Sequence, residues 1–246
     1  MDTTHAFRAY DHLRQKLAGG ELPPGSRLRY GPIGREIGVS ATPVREAIGR
    51  LASEGFVEVR ANQGAVVRSP ERHELIELYQ VREALEALAA GNAARSIDGT
   101  ALDELAQRVQ AMREIALDLR RSDKATLSPE QMRRFLSEDV AFHLIVLEAA
   151  NNRLMLRTVN TLQLMSRIFL DFKRPRHRLA QVASAYAMHN RILKAMRRGD
   201  TQRASEAMAQ HIRKGLQATL AMFDAQQRSR LRREFSGDRN YSGMND

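Results

Sequence analysis

The sequence predicts a mainly α-helical chain in two parts, a small N-terminal unit and a larger all-helical one. Three observations lead there. Nine of the 15 glycines and the clearest strand-like runs fall in residues 1–68. Residues 71–228 read as almost continuous helical pattern. Aromatic residues make up only 5% of the chain and Trp is absent, which disfavours a β-sandwich and favours helices built on Ala, Leu, Ile and Met.

With 246 residues and 43% apolar content, the chain is long enough for two cores and too apolar to be disordered throughout. It has no Cys, which excludes disulfides, thiolate metal sites and a Cys nucleophile, and suits a reducing cytoplasm. Apolar runs such as Leu144-Ile145-Val146-Leu147 fall far short of the ~20 residues of a membrane span. A soluble, cytoplasmic protein with no membrane partner is expected. The net charge of +10 permits polyanionic partners. The excess is spread, however: residues 1–69 carry 10 basic and 7 acidic groups, residues 70–223 carry 24 and 18, and residues 224–246 carry 5 and 4. Motifs must therefore decide function.

In the first part, Phe7, Tyr10, Leu13 and Leu17 recur at helical spacing until Gly19-Gly20, which predicts a helix over about 5–18. Pro23-Pro24-Gly25 is a turn. Ile33 and Ile37 mark a short second helix ending at Gly38, and Val44, Ala47, Ile48 and Leu51 mark a third that begins after Ser40. A short helix, a Gly-containing turn and a Ser-capped helix make a helix-turn-helix. Residues 56–60 and 65–68, joined by Ala61-Asn62-Gln63-Gly64, add a hairpin, so the unit reads as a winged helix-turn-helix over residues 1–69.

A helix fits the major groove of DNA, and with Val44, Ile48 and Leu51 inward the opposite face presents Thr42, Arg45, Glu46 and Arg50. Arg45 is the first candidate for base reading. Ser40, Thr42 and Arg35 suit phosphates, and Gly64 would let the wing approach the backbone closely. The same spacing also suits a small helical subdomain with solvated arginines. Leu22-Pro23-Pro24-Gly25-Ser26-Arg27-Leu28, Ile37-Gly38-Val39-Ser40, Thr42-Pro43-Val44-Arg45-Glu46-Ala47 and Glu54-Gly55-Phe56-Val57 closely resemble the DNA-binding domain of GntR-family bacterial transcription regulators. That resemblance implies a homodimer on a palindromic double-stranded DNA operator, with recognition-helix arginines in the major groove and the wing Gly near the minor groove. Ala41 and Gly49 depart from the family's frequent arginines, and Gly49 weakens its helix by about 1 kcal/mol relative to Ala.

Ser69-Pro70 reads as the boundary, with Ser69 as N-cap and Pro70 at the first helical position. Helices follow over about 71–95, 100–121, 129–150, 153–173, 177–198 and 201–228. Ser128-Pro129-Glu130-Gln131 is a capping box, and Asn151-Asn152 and Arg198-Gly199-Asp200 are turns. Short links make this an antiparallel bundle of six to seven helices over residues 70–228. Residues 229–246 read as a disordered tail.

Asp139 and His143, four apart, share a helix face. His189 precedes Gly199 by 10 residues and His211 follows it by 12, so a helical hairpin brings them to one height. One Asp and three His form a nitrogen-and-oxygen set suited to zinc, nickel, iron or manganese. A surface ion pair and hydrogen-bonded core histidines would explain the same residues separately. Val81-Arg82-Glu83-Ala84-Leu85-Glu86, Asp139-Val140-Ala141-Phe142-His143, Asn152-Arg153-Leu154, His189-Asn190-Arg191 and His211-Ile212 resemble the FCD ligand-binding domain of the FadR-type branch of that family. The resemblance implies a divalent metal, zinc first, on Asp139, His143, His189 and His211, and a small carboxylate effector that reaches it. Arg82, inward on the first bundle helix, is a candidate partner for that carboxylate. An ion pair with Glu86, four residues on, is the equal alternative, and Asn152 is expected only to cap a turn.

The expected function is therefore a ligand-responsive transcription regulator, with repression relieved by effector. A metal-responsive regulator without an organic effector is the alternative. A metal-dependent hydrolase fits less well, because Glu138 points roughly 100° away from Asp139 around the helix and leaves no general base at the metal. No enzyme activity is expected.

Overall fold

Apolar residues at helical spacing in the first third close a three-helix core capped by a small sheet. The computed structural model describes residues 3–60, 64–122, 124–168 and 178–237. Helix α1 (Thr3–Ala18) buries Ala9, Tyr10, Leu13 and Leu17 against α2 (Tyr30–Ile37) and α3 (Ala41–Ser53). Phe7, at the same spacing, is 60% exposed, so packing begins only at Ala9. In α3, Val44, Ala47, Ile48 and Leu51 are buried, as their spacing predicts.

Strands β2 (Val57–Arg60) and β3 (Gly64–Val67) pair antiparallel, with Val57 opposite Val67 and Arg60 opposite Gly64. The sheet also has a strand that the sequence did not signal. Strand β1 (Arg27–Leu28) pairs with β3, Arg27 opposite Val66 and Leu28 opposite Ala65, to give the order β1-β3-β2. Two residues cannot display alternation, and only the partner strand makes them one. The wing residues Ala61, Asn62 and Gln63 lie outside the described residues.

The turn between α2 and α3 depends on a close backbone approach. Gly38 takes φ 71°, and its neighbour Val39 donates its N–H to Gly34 O at 2.9 Å. A β-carbon on Gly34 would sit 2.6 Å from Val39 O. The two helices reach this closeness only because position 34 has no side chain.

Among the described residues, six helices form the second part: α4 (Arg72–Ser96), α5 (Gly99–Arg121), α6 (Pro129–Ala149), α7 (Arg153–Ile168), α8 (Leu179–Arg197) and α9 (Thr201–Gly237). Helix α4 is central. It packs along α9 and also meets α6, α7 and α8, burying one broad face that includes the small Ala89, Ala90 and Ala93. The helix starts carry the expected chemistry in two places. Ser128 Oγ accepts from Gln131 N and Gln131 Oε1 accepts from Ser128 N, with Pro129 at the first position. Asn152 Oδ1 accepts from Met155 N at 3.0 Å, so it caps α7.

Two boundaries differ from expectation. The cap of α4 is Glu71 rather than Ser69, because Glu74 Oε2 accepts from Glu71 N at 2.8 Å while Arg68 pairs with the other oxygen of Glu74. That pairing holds residues 69–71 outside the helix. At the other end, α9 continues past residue 228 to Gly237, since Gln, Arg and Leu are good helix formers and no breaker intervenes. The expected disorder at 229–237 is corrected accordingly, and residues 238–246 lie outside the described residues, as does the predicted helical stretch 169–173.

Gly34→Ala is expected to destabilise the N-terminal unit by about 1–3 kcal/mol through overpacking. Gly49→Ala, whose β-carbon would meet open space in mid-helix, is expected to stabilise it by about 1 kcal/mol. Urea unfolding of the two variants beside the parent chain measures the opposite signs.

Candidate metal centre and DNA-reading surface

The exposed face of α3 carries Thr42, Arg45 and Arg50, and Arg35 stands exposed on α2. Ser40 occupies the N-cap position of α3 but makes no side-chain capping bond there. The arginines differ in freedom. The Arg45 guanidinium lies 5.4 Å from the Tyr30 ring, a loose contact that steers it without consuming its donors. Arg50 is tied inward: its guanidinium stacks 3.9 Å over the Tyr10 ring and its Nε donates to Glu54 Oε1 at 3.1 Å. Glu54 in turn accepts from the Tyr10 hydroxyl at 2.7 Å. Arg50 thus braces α3 against α1. Gly64 takes φ 77° at the start of β3, a conformation that favours glycine.

In the bundle, α6 supplies Asp139 and His143, α8 supplies His189 and α9 supplies His211. Helical spacing and the α8–α9 hairpin bring them together as the sequence predicts: one ligand atom from each lies within 4.8 Å of all the others. His143 Nε2 and His211 Nε2 are 3.1 Å apart, and His189 Nε2 is 3.3 Å from Asp139 Oδ1. Ligands about 2.0–2.2 Å from one ion are separated by roughly 3–4 Å, so these distances fit a shared cation.

The ring orientations fit as well. His189 Nδ1 is 2.8 Å from Ala185 O, and a carbonyl only accepts, so Nδ1 carries a proton and Nε2 is the atom turned to the cluster. That Nε2 is buried and lacks hydrogen-bond geometry to any described residue, Asp139 included. His143 Nδ1 lies 2.5 Å from Glu86 Oε2, too far off line for a good hydrogen bond but close enough that the nitrogen must bear the proton. Its Nε2 faces inward, toward His211; burial opposes charge on the His143 ring, but Glu86 beside it outweighs that and raises it above the ordinary His range. Backbone or carboxylate partners behind the imidazoles are the usual support of metal ligands. Burial, reinforced by His189 and His143, holds His211 well below the ordinary His range and keeps it neutral. Burial opposes ionisation of Asp139, yet the three imidazoles together hold its carboxyl well below the usual range.

Glu86 is the residue the sequence reading undervalued. It was visible only as the i+4 partner of Arg82, and indeed Arg82 Nε donates to its Oε1 at 2.7 Å in a fully buried pair. Its other oxygen serves His143, 57 positions away, which no local pattern could announce. Burial raises the Glu86 carboxyl, but Arg82 and His143 outweigh it and bring it down to about 2. Arg82 also reaches Ser166 Oγ at 3.4 Å, so the expected ion pair with Glu86 is present while Arg82 still borders the cavity beside the cluster.

The cluster opens on a cavity of about 180 Å³, bordered by Asp139, His143, His211, Arg82, Ser166 and Arg167. Arg167 had no signal in the sequence. Its Nε is buried without a hydrogen-bond partner among the described residues. One residue before Ser166 on the same helix, Met165 reaches the N-terminal part: its Cε stands 2.9 Å from where a β-carbon on Gly55 would be. His5, His12 and His73 stay outside this cluster, and His177 lies outside the described residues.

Residues 6–67 match the family "Bacterial regulatory proteins, gntR family", and residues 77–214 match the FCD domain. A relative from Paenarthrobacter nicotinovorans, the "Probable D-xylose utilization operon transcriptional repressor", is 32% identical over 88% of this chain and 89% of its own length. The "HTH-type transcriptional repressor GlaR" of Escherichia coli is 25% identical over 85% of this chain and 93% of its own. Among solved structures, E. coli McbR/YncC superposes with a TM-score of 0.75 at 20% identity, covering 90% of this chain and 99% of that one, which shows a shared fold. No described helix is long and apolar enough to cross a membrane. Its two matched regions and its relatives make the chain a DNA-binding transcription regulator and not an enzyme, a member of the gntR family of bacterial regulatory proteins that carries an FCD domain.

Proposed function

We propose that the chain is a repressor that binds a palindromic operator as a homodimer and is released by a small carboxylate anchored to a divalent metal in its FCD bundle. The observation that carries this reading is the set of two imidazoles, His143 and His189, oriented by Glu86 and Ala185 so that their Nε2 atoms converge with Asp139 and His211 beside a cavity. Bound there, a zinc, nickel, iron or manganese ion would supply a Lewis-acid anchor for a carboxylate oxygen. Zinc suits three imidazoles and one carboxylate best.

At the DNA end, Arg45 reads a base in the major groove while Arg35, Ser40 and Thr42 position the helix on phosphates and Gly64 brings the wing to the backbone. Arg50 acts at one remove, by holding α3. Regulation is linkage: effector and operator must each weaken the other's binding by the same factor, through different affinities for two dimer geometries.

Thermal melting of the full-length protein, with zinc and after chelation, tests the metal. Zinc at 100 times its dissociation constant is expected to stabilise by about 2.7 kcal/mol. His189→Ala is expected to abolish that gain, and a zinc response that survives the substitution contradicts the site. Small carboxylates are expected to raise the melting temperature further only in the zinc-loaded protein. Arg45→Ala is expected to cost about 1–3 kcal/mol of operator affinity, measured by titration of labelled operator with folding checked by circular dichroism.

A further inference from the structure

We propose that the bundle cavity takes a dianion, with one carboxylate directed to the metal cluster and a second anionic group received by Arg167. This rests on the reading above of a metal-anchored carboxylate and adds the effector's second charge.

Arg82 and Glu86 neutralise each other in a buried salt bridge, and Glu86 also holds His143. Asp139 is the remaining carboxylate in contact with the cluster. The imidazoles contribute no charge when their lone pairs face an ion. A divalent ion on the cluster leaves one positive charge after Asp139, and Arg167 adds another. A monoanion would leave one of these two uncompensated, which is costly away from water.

Arg167 has no other duty among the described residues. It makes no ion pair, its Nε is buried and unpartnered, and it borders the same cavity as Asp139, His143 and His211. Its helix, α7, holds none of the four candidate metal ligands, which stand on α6, α8 and α9, so a ligand that meets both the cluster and Arg167 bridges different helices across the shared cavity. The space of about 180 Å³ is that of roughly six waters at ~30 Å³ each, which suits a short carbon chain. Leu136, Val140, Met188 and Ile212 line it and suit the methylenes between two charged ends. A guanidinium can meet a carboxylate with two parallel hydrogen bonds, which would satisfy the orphaned donor.

Calorimetric titration of the zinc-loaded, full-length protein tests this with matched pairs: malonate against propionate, succinate against butyrate, glutarate against valerate. At least one dicarboxylate is expected to bind tenfold or more tightly than its partner. Arg167→Gln is expected to erase that preference while zinc affinity and apo melting temperature stay unchanged, and Arg167→Lys to restore part of it. Zinc-dependent binding with no preference for any dicarboxylate, or a preference that survives Arg167→Gln, overturns the second anionic group and leaves the metal-anchored carboxylate standing. No carboxylate binding at all to a protein that holds zinc overturns both.

Discussion

A single buried carboxylate, Glu86, is the constraint on which the bundle's centre depends. It is 1% exposed and ionised, and two opposite demands keep it so: Arg82 on one oxygen and His143 on the other. An unpaired ion at that depth would cost several kcal/mol, so each partner is needed to keep the others. The same contact has a second effect. By holding the His143 proton on Nδ1, Glu86 leaves Nε2 free to face His211, and the ligand cluster becomes a consequence of how α4 neutralises itself.

The four candidate metal ligands come from α6, α8 and α9, while the support of His143 comes from α4. The central helix touches the four helices packed around it and can orient side chains on any of them. His189 is oriented more locally, by a carbonyl one turn back on its own helix, Ala185 O. Both devices fix a ring orientation and cost the backbone nothing beyond its helical path. Asp139 and His211 stay partly open, and through them the cluster faces the cavity.

Helix α7 ties the two ends of the molecule. Three consecutive residues face different duties: Met165 packs beneath Gly55 at the turn between α3 and β2, Ser166 accepts from Arg82, and Arg167 borders the cavity. Gly55 sits at φ 82°, a conformation that favours glycine. Helix α7 therefore touches the turn at the end of α3. Arg50, stacked on Tyr10 and paired with Glu54, carries the same rigidity on to α1.

The sequence by itself determined what depends on local spacing. Apolar periodicity placed α1 to α9 closely, Gly38 and Ser40 marked the turn, Ser128 and Gln131 the capping box, and the i, i+4 step paired Asp139 with His143. The short loop at Gly199 even brought His189 and His211 to one height, because an antiparallel hairpin converts equal distances in sequence into proximity. What tertiary structure decided is what depends on long-range partners. Strand β1 exists because β3 lies beside it, and the start of α4 moved to Glu71 because Arg68 pairs with Glu74. Arg50 stacks on Tyr10 and pairs with Glu54, and Arg82 pairs with Glu86. Arg167 became notable only when its surroundings were known. Spacing records which way a side chain points on its own helix; whether a charge there is free or already paired is set by residues that the fold brings from elsewhere.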